Sequence, residues 1–451
     1  MMSEKLFFVS LGCDKNRVDS EVMLGLAAGA GYELTQDEAE ADYIIVNTCC
    51  FIGDAKEESI NTLLEMAQYK ESGKLKGLIA AGCLAERYKE EILKEMPEVD
   101  AVIGTASYPK IISVIEELEK GNKGSIIADP QDAVPEISGR ILTTGGHYAY
   151  LKIAEGCDKH CTYCIIPKVR GAYRSVPMET LTAEAAGMAV RGVTELILIA
   201  QETTLYGTDL YGKKMLPELL RRLSQISGIR WIRLQYCYPE EITDELIEEI
   251  RTNPKVCHYL DIPIQHASDR ILKKMGRRTT LADIKAMIAR LRKEIPDIAL
   301  RTTFISGFPT ETEEDHEILM DFVNETEFDR LGVFAYSREE DTPAAEMDGQ
   351  VPEEVKEARR DEVMELQQEI AFERAEAKIG KEYDVIVEGS LPDEGVYVCR
   401  TYMDAPDVDG YLFMKSEISS YMSGDFARAR VTGAREYDLV GEDMCLQEEF
   451  S

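Results

Sequence analysis

Three cysteines lie close together in the middle of the chain, in the run Cys157-Asp158-Lys159-His160-Cys161-Thr162-Tyr163-Cys164. Their spacing is C-x3-C-x2-C, and they follow a short apolar run that is typical of a β-strand. Three thiolates on one loop can hold three irons of a four-iron cluster, and the fourth iron is then left without a protein ligand.

An open iron of this kind can bind S-adenosylmethionine through its amine and carboxylate groups, and one electron then cleaves the sulfonium to give a carbon radical. The alternative is a structural zinc site formed by the three cysteines and His160. Zinc sites usually add a second cysteine pair much farther along the chain, which is missing here. Spacing and strand context therefore favour the cluster.

A second set of three cysteines is spread over the N-terminal region. Cys13 ends the apolar run VSLGC, Cys49 ends IIVNTC and Cys83 ends LIAAGC. Ligands of open parallel sheets collect at the carboxyl ends of the strands. We therefore expect these three thiols to converge and to hold another cluster, although a single buried cysteine is more often core filler.

The remaining cysteines carry no comparable pattern. Cys50 is the neighbour of Cys49, and adjacent residues of an extended chain point in opposite directions, so only one of the two should be a ligand. Cys49 is chosen because it shares the strand-end position. Four others have no metal spacing and are interpreted as ordinary thiols: Cys237, Cys257, Cys399 and Cys445.

Bulk properties restrict the class of protein. The chain has 451 residues, which suggests two to four domains. No apolar run approaches the roughly 20 residues of a membrane span. The apolar run near the N-terminus is shorter than the apolar core of a secretory signal. We expect a cytoplasmic protein with reduced thiols. The net charge of −33 disfavours phosphate backbones and favours basic partners.

The pattern of apolar and amphipathic segments predicts the fold class α/β with three parts. Short strands alternate with helices in an N-terminal domain over 1–125, which contains a parallel sheet. A Gly- and Pro-rich linker covers 126–145. Six further strand–helix units over 146–351 favour a partial (βα)6 barrel. A long charged helix over 352–379 precedes a small antiparallel β-barrel over 380–446.

These residues resemble the radical S-adenosylmethionine methylthiotransferases over nearly the whole chain. That family has an N-T-C motif, matched by Asn47-Thr48-Cys49, and an E-G-C-x3-C-x2-C motif, matched from Glu155 onward. Its small β-barrel is a TRAM domain. The resemblance implies two [4Fe-4S] clusters, one that cleaves S-adenosylmethionine at Cys157, Cys161 and Cys164 and one that handles sulfur at Cys13, Cys49 and Cys83.

The resemblance also places the cofactor at the carboxyl ends of the central strands. Four residues there are expected to contact S-adenosylmethionine, and each could equally be barrel packing: Gln201, Thr303, Gly307 and Tyr336. Arg170 and Arg174 follow the cysteine loop, where they are either carboxylate ligands or solvated surface charges.

The family modifies either adenosine in transfer RNA or an aspartate of the twelfth protein of the small ribosomal subunit. The run Gln265-His266-Ala267-Ser268 resembles the ribosomal-protein branch, because the transfer-RNA enzymes typically have Gln-Ser-Gly. From residue 376 onward the chain has 17 acidic and 7 basic residues, a net charge of −10. That charge suits a basic ribosomal protein better than transfer RNA, although a generally acidic proteome would also produce it.

The resemblance implies that one S-adenosylmethionine methylates a cluster-bound sulfur and that a second supplies the radical that removes a β-hydrogen of the aspartate. A reduced electron donor such as flavodoxin or ferredoxin is required. Hydrogen abstraction needs no side-chain general base, so no catalytic acid or base is assigned. The alternatives are a transfer-RNA methylthiotransferase and, in another class, a non-catalytic iron–sulfur or zinc protein.

Overall fold

The computed structural model describes residues 4–131, 135–418 and 420–444. Cys445, which the sequence assigns to the ordinary thiols, lies outside the described residues. In the described part of the chain, every helix is too short or too polar to cross a membrane.

The N-terminal domain is a parallel sheet with helices packed on it. Its elements are β1 (Lys5–Ser10), α1 (Asp14–Gly29), β2 (Glu33–Leu34), β3 (Tyr43–Thr48), α2 (Gly53–Ala67), α3 (Tyr69–Ser72), β4 (Gly77–Gly82), α4 (Cys83–Tyr88), α5 (Glu90–Glu95), β5 (Ala101–Ile103), α6 (Ile111–Glu119) and β6 (Gly124–Ile126). The strand order is β2-β1-β3-β4-β5-β6. Every residue of β3 and β4 is buried, as expected for central strands covered on both faces.

Two features of this domain differ from the sequence pattern. The amphipathic pattern from Ala85 to Glu95 predicts a single helix, but the segment is divided between α4 and α5 because Lys89 between them has φ +49°. The edge strands β2 and β6 were not expected, since they are short and only partly buried.

The central domain has the expected six-stranded parallel sheet. Its elements are β7 (Tyr148–Lys152), β8 (Ala154–Glu155), α7 (Ile166–Val169), β9 (Arg174–Ser175), α8 (Met178–Val190), β10 (Glu195–Ile199), α9 (Thr208–Tyr211), α10 (Leu216–Ser224), β11 (Trp231–Leu234), α11 (Asp244–Thr252), β12 (Val256–Gln265), α12 (Asp269–Lys274), α13 (Leu281–Glu294), β13 (Ala299–Ser306), α14 (Glu313–Thr326) and β14 (Arg330–Ala335). The large strands follow chain order across the sheet, β7-β10-β11-β12-β13-β14. A capping box of Thr280 and Asp283 begins α13.

A long helix and a closed five-stranded barrel complete the chain. They comprise α15 (Glu353–Glu376), β15 (Glu382–Leu391), β16 (Val396–Thr401), β17 (Leu412–Lys415), β18 (Phe426–Arg435) and β19 (Asp438–Asp443). The order around the barrel is β15-β16-β17-β19-β18, and the pair β17–β19 is parallel whereas the other pairs are antiparallel. The polar strand β19 was not recognised in the sequence.

The C-terminal barrel packs against the amino ends of the central strands. Trp231 and Ala299, the first residues of β11 and β13, share an apolar cluster with Ile386 and Met403 of the last domain. The buried Glu195 at the start of β10 binds Arg400 of β16. The C-terminal barrel therefore docks at the end of the central sheet opposite to the end that carries Cys157, Cys161 and Cys164.

Candidate active site

The strand register brings the N-terminal cysteines together. Asn47 pairs with Ser10 of β1 on one side and with Ala81 of β4 on the other. Two residues farther on, Cys49 and Cys83 therefore stand side by side, each directly after the end of its strand, and Cys13 follows the end of β1. Each of these thiols lies within electrostatic range of the other two.

Local contacts hold this trio in place. The Cys49 backbone N–H donates to Ser59 Oγ at 2.9 Å. Asn16, one turn into α1, donates its amide N–H groups to the carbonyl oxygens of Leu11 and Thr48, both at 2.9 Å. A β-carbon on Gly82, which has φ +90°, would lie 2.2 Å from Asn47 Oδ1, so only glycine fits immediately before Cys83.

Cys50 differs from its neighbour in its surroundings. It is completely buried in the apolar cluster that also contains Leu84 and Ile165, and burial raises the pKa of its thiol to about 12. Its carbonyl oxygen accepts from Arg87 at 3.3 Å. Cys50 also lies within electrostatic range of Cys83, so the assignment of Cys49 as the ligand stays a prediction.

The second trio lies on the loop between β8 and α7. The Cys157 N–H donates to the Gly171 carbonyl at 3.1 Å, and the Cys164 N–H donates to the Cys161 carbonyl at 3.0 Å. The three thiols interact electrostatically, and burial raises the pKa of Cys157 to about 12 and also raises the pKa of Cys164. Such thiols stay protonated unless a cation stabilises their charge.

The zinc alternative finds little support in this geometry. The His160 side chain is exposed, whereas Cys157 and Cys161 are buried. Among the described residues no three His, Cys, Asp or Glu side chains are arranged around a single metal ion. A four-iron cluster separates its thiolates by the width of the cluster, so its apo site differs from a mononuclear site.

Arg170 connects the two trios. It lies six residues after Cys164, is 2% exposed, and its Nε is 3.3 Å from Cys83 Sγ. Its other nitrogens donate to Asp19 Oδ2 at 2.6 Å, to Glu155 Oε2 at 3.2 Å and to Asn16 Oδ1. Arg170 is therefore neither surface charge nor free to bind a carboxylate ligand.

Arg174 has different partners. Its guanidinium donates to the backbone carbonyl oxygens of Ala172 at 2.6 Å and Arg170 at 3.0 Å. It therefore stabilises the loop that follows the central cysteines.

The buried polar group around Arg170 extends into the central domain. Lys152 donates to Glu155 at 2.7 Å and also binds Asp19 of α1. Gln201 Nε2 donates to Glu155 Oε1 at 2.6 Å. Sequence reasoning missed Asn16, Asp19 and Lys152; the position of Asn16 three residues after Cys13 was the available signal.

The four residues expected to contact S-adenosylmethionine have distinct environments. Gln201 Oε1 is buried and has no hydrogen-bond partner among the described residues. Thr303 is half-buried on β13. A β-carbon on Gly307, which has φ +73°, would lie 2.2 Å from Lys356 Cγ, so α15 occupies that side of the glycine. Tyr336 is buried against Phe308, with ring centres 5.4 Å apart.

Glu202 is a further buried group that the sequence did not single out. Its side chain is completely buried, and burial raises its pKa to about 7, although hydrogen bonds from Thr204 act in the opposite direction. It lies within electrostatic range of Cys157. The cysteines interpreted as ordinary thiols and described here, Cys237, Cys257 and Cys399, are all buried.

The N-terminal and central domains also share a core. Ile165 and Val169, at either end of α7, belong to the same apolar cluster as Cys50 and Cys83. Thr105 Oγ1 donates to the Val169 carbonyl at 2.6 Å. The helix that follows the central cysteines thus packs directly onto the N-terminal ones.

Comparison with known proteins identifies each part of the chain. Residues 5–104 match the uncharacterized protein family UPF0004, residues 151–323 match the radical SAM superfamily, and residues 379–443 match the TRAM domain. The solved structure of the radical S-adenosylmethionine methyltransferase TsrM from Kitasatospora setae is similar in fold, with a TM-score of 0.54, 13% identity and 73% of each chain covered. OxsB, a cobalamin-dependent S-adenosylmethionine radical enzyme, has a TM-score of 0.52, 14% identity and covers 82% of this chain and 56% of its own.

Full-length relatives are much more similar. The ribosomal protein uS12 methylthiotransferase RimO of Lachnoclostridium phytofermentans is 64% identical, with 97% of this chain and 99% of that protein covered. RimO of Acetivibrio thermocellus is 53% identical, with 98% of each chain covered. With both cysteine sets in place and this similarity along the whole length, the chain belongs to the RimO family of radical S-adenosylmethionine methylthiotransferases.

Proposed function

We propose that this enzyme adds a methylthio group to the β-carbon of an aspartate in ribosomal protein uS12, using two [4Fe-4S] clusters and two molecules of S-adenosylmethionine. The observation that carries the proposal is the contact between Arg170, which directly follows α7 after the central cysteines, and Cys83 of the N-terminal trio. Sulfur insertion requires both sets to serve one cavity, because a carbon radical must meet its sulfur before it meets solvent.

The residues present fit these groups. The proposed ligands are Cys13, Cys49 and Cys83 for one cluster and Cys157, Cys161 and Cys164 for the other. Five of the six thiols are buried or half-buried, and only Cys13 is exposed. When bound, the clusters and S-adenosylmethionine supply the electron, the methyl group and the hydrogen-abstracting radical. Because buried thiols must lose protons to bind iron, cluster assembly at these sites releases protons.

The amide of Gln201 has the orientation that an amino group needs. Its Nε2 is committed to Glu155, which leaves Oε1 as an acceptor with no partner among the described residues. An amino group is a donor, so Gln201 would hold the amine of S-adenosylmethionine beside the central trio. Thr303, Gly307 and Tyr336 remain proposed contacts of S-adenosylmethionine. The side chain of Lys356 occupies the space on one side of Gly307.

The substrate assignment relies on charge and on the named relatives. The curated relatives are named for uS12, and the run Gln265-His266-Ala267-Ser268 resembles that branch of the family. The acidic C-terminal domain suits a basic protein partner, since complementary potentials accelerate encounter. Action in the cytoplasm and reduction by flavodoxin or ferredoxin belong to the same proposal.

The domain boundaries also remain proposals: 1–125, 126–145, 146–351, 352–379 and 380–446. The UPF0004 and radical SAM matches fall inside 1–125 and 146–351, and the TRAM match over 379–443 begins one residue before the last proposed domain.

Iron analysis tests the two clusters. After anaerobic reconstitution, Cys13→Ala/Cys49→Ala/Cys83→Ala and Cys157→Ala/Cys161→Ala/Cys164→Ala should each retain about half of the wild-type iron and sulfide. Cys50→Ala is the matched control and should retain all of it. Full iron in the first variant would contradict the N-terminal cluster.

Mass spectrometry tests the substrate. Incubation with uS12, S-adenosylmethionine and reductant should add the mass of a methylthio group to one aspartate. Modification of adenosine in transfer RNA, with uS12 unchanged, would refute the choice of substrate. Failure to form 5′-deoxyadenosine would refute radical chemistry altogether.

A further inference from the structure

Four buried charges join the two halves of the site. Asp19 from α1 and Glu155, Lys152 and Arg170 from the central domain form a group in which two carboxylates balance two cations. All four side chains are at most 8% exposed. The two carboxylates already balance the positive charge of Arg170 and Lys152, so charge balance does not require a thiolate beside Arg170. Its Nε nevertheless lies 3.3 Å from Cys83 Sγ.

The orientation of Arg170 is strongly constrained. One terminal nitrogen donates to both Asp19 and Glu155, and the other donates to Asn16 Oδ1. The amide of Asn16 is in turn held by its donation to two backbone carbonyls. A planar guanidinium with both ends bound in this way can present its Nε–H in one direction only, which is toward Cys83 Sγ.

A cationic N–H donor beside a ligand sulfur changes the electronic properties of the metal group bound there. Reduction adds a negative charge to an iron–sulfur cluster, and a buried positive charge stabilises that added charge. Partners of this kind commonly tune metal sites from outside the ligand set. Arg170 is supplied by the central domain, so the tuning depends on the two domains being assembled.

We propose that Arg170 is a positioning residue for the N-terminal cluster. The hydrogen bond that its Nε–H donates to Cys83 Sγ raises the reduction potential of that cluster and fixes the cluster beside the radical site. This inference rests on the proposed function, because it requires a cluster at Cys13, Cys49 and Cys83.

The test is a redox titration of the full-length reconstituted protein, followed by electron paramagnetic resonance. Cys157→Ala/Cys161→Ala/Cys164→Ala identifies which midpoint belongs to the N-terminal cluster. Arg170→Gln should shift the equilibrium of the N-terminal cluster about tenfold toward its oxidised form. This corresponds to a midpoint potential about 59 mV more negative for a one-electron couple. The midpoint of the central cluster should not change. Arg170→Lys, which keeps the charge without the planar fork, should shift less.

Two further variants separate tuning from folding. Arg170→Gln/Asp19→Asn restores charge balance, should fold, and should retain the negative shift. Arg174→Gln alters a nearby arginine that donates to the backbone carbonyls of Ala172 and Arg170 and should leave both midpoints unchanged.

An unchanged N-terminal midpoint in the charge-balanced variant, with full iron, would overturn the inference even if its unfolding midpoint falls, because Arg170 would then only hold the domains together. Absence of N-terminal iron in the wild type would overturn the proposed function, and the inference with it.

Discussion

Replacing Glu195 with glutamine should weaken the docking of the C-terminal domain on the central sheet. Glu195 is completely buried and binds Arg233 Nε at 2.8 Å and Arg400 at 2.6 Å. Although burial alone would raise its pKa, the two guanidiniums hold the pKa of this carboxyl below its ordinary value. Glu195→Gln leaves two buried arginines side by side, with Glu388 as the remaining carboxylate bound to Arg400.

The expected loss of docking free energy follows from the burial of Glu195, Arg233 and Arg400. Removing one member of a buried ion pair typically costs about 3–5 kcal/mol, because the partner charge stays buried without compensation. With an m-value of about 1.5 kcal/mol per molar urea for a unit of this size, the midpoint of domain release should fall by about 2–3 M.

The single tryptophan reports this event directly. Trp231 is 8% exposed, and its ring centre lies 4.9 Å from that of Phe426 in the last domain. Release of the domain exposes the indole, so its emission should shift to longer wavelength at lower urea in the variant than in the wild type.

Glu248→Gln is the matched control, because Glu248 pairs with Arg251 on the surface. Exposed pairs of this kind contribute up to about 1 kcal/mol, so the midpoint should move little. If the two variants moved the Trp231 transition equally, the buried ion network would not hold the domains together.

Two further predictions concern single buried positions. Gly307→Ala should destabilise the protein by about 1–3 kcal/mol, because the added β-carbon would overlap Lys356 at a residue with a left-handed backbone. The control Gly187→Ala, at an open position in a helix, should stabilise the protein by about 0.5–1 kcal/mol. Equal midpoints of the two variants in thermal unfolding would contradict this prediction. Glu202 is protonated in the folded state up to about pH 7 but ionises near pH 4.5 when unfolded, so the free energy of unfolding should decrease by up to about 3 kcal/mol as pH rises through that window. Glu202→Gln should remove this decrease in urea titrations at a series of pH values, and an identical pH dependence in both proteins would refute the burial argument.

The sequence predicted most of the fold because apolar runs and strand–helix alternation are local signals. The six strands predicted over 146–351 are confirmed. Segments without such signals were missed: β19 is too polar, and β6 is a three-residue edge strand at the boundary between the N-terminal domain and the predicted linker.

The candidate site was predictable only in part. Cysteine at strand ends indicated convergence, and the register of β1, β3 and β4 places Cys49 beside Cys83. The partner of Arg170 could not be predicted, since it depends on how two domains dock, and no periodicity in either domain encodes a contact over 87 residues of chain.

The shared core has a consequence for the order of events during synthesis. Ile165 and Val169 fill a cluster that otherwise consists of N-terminal residues. The first family match ends at residue 104, so 65 further residues, Val169 included, must be polymerised before the cluster is complete. At typical elongation rates this takes about 3–13 s. Until then the apolar side of Cys83 stays uncovered, and the nascent first domain completes its interior only when a helix of the second one arrives.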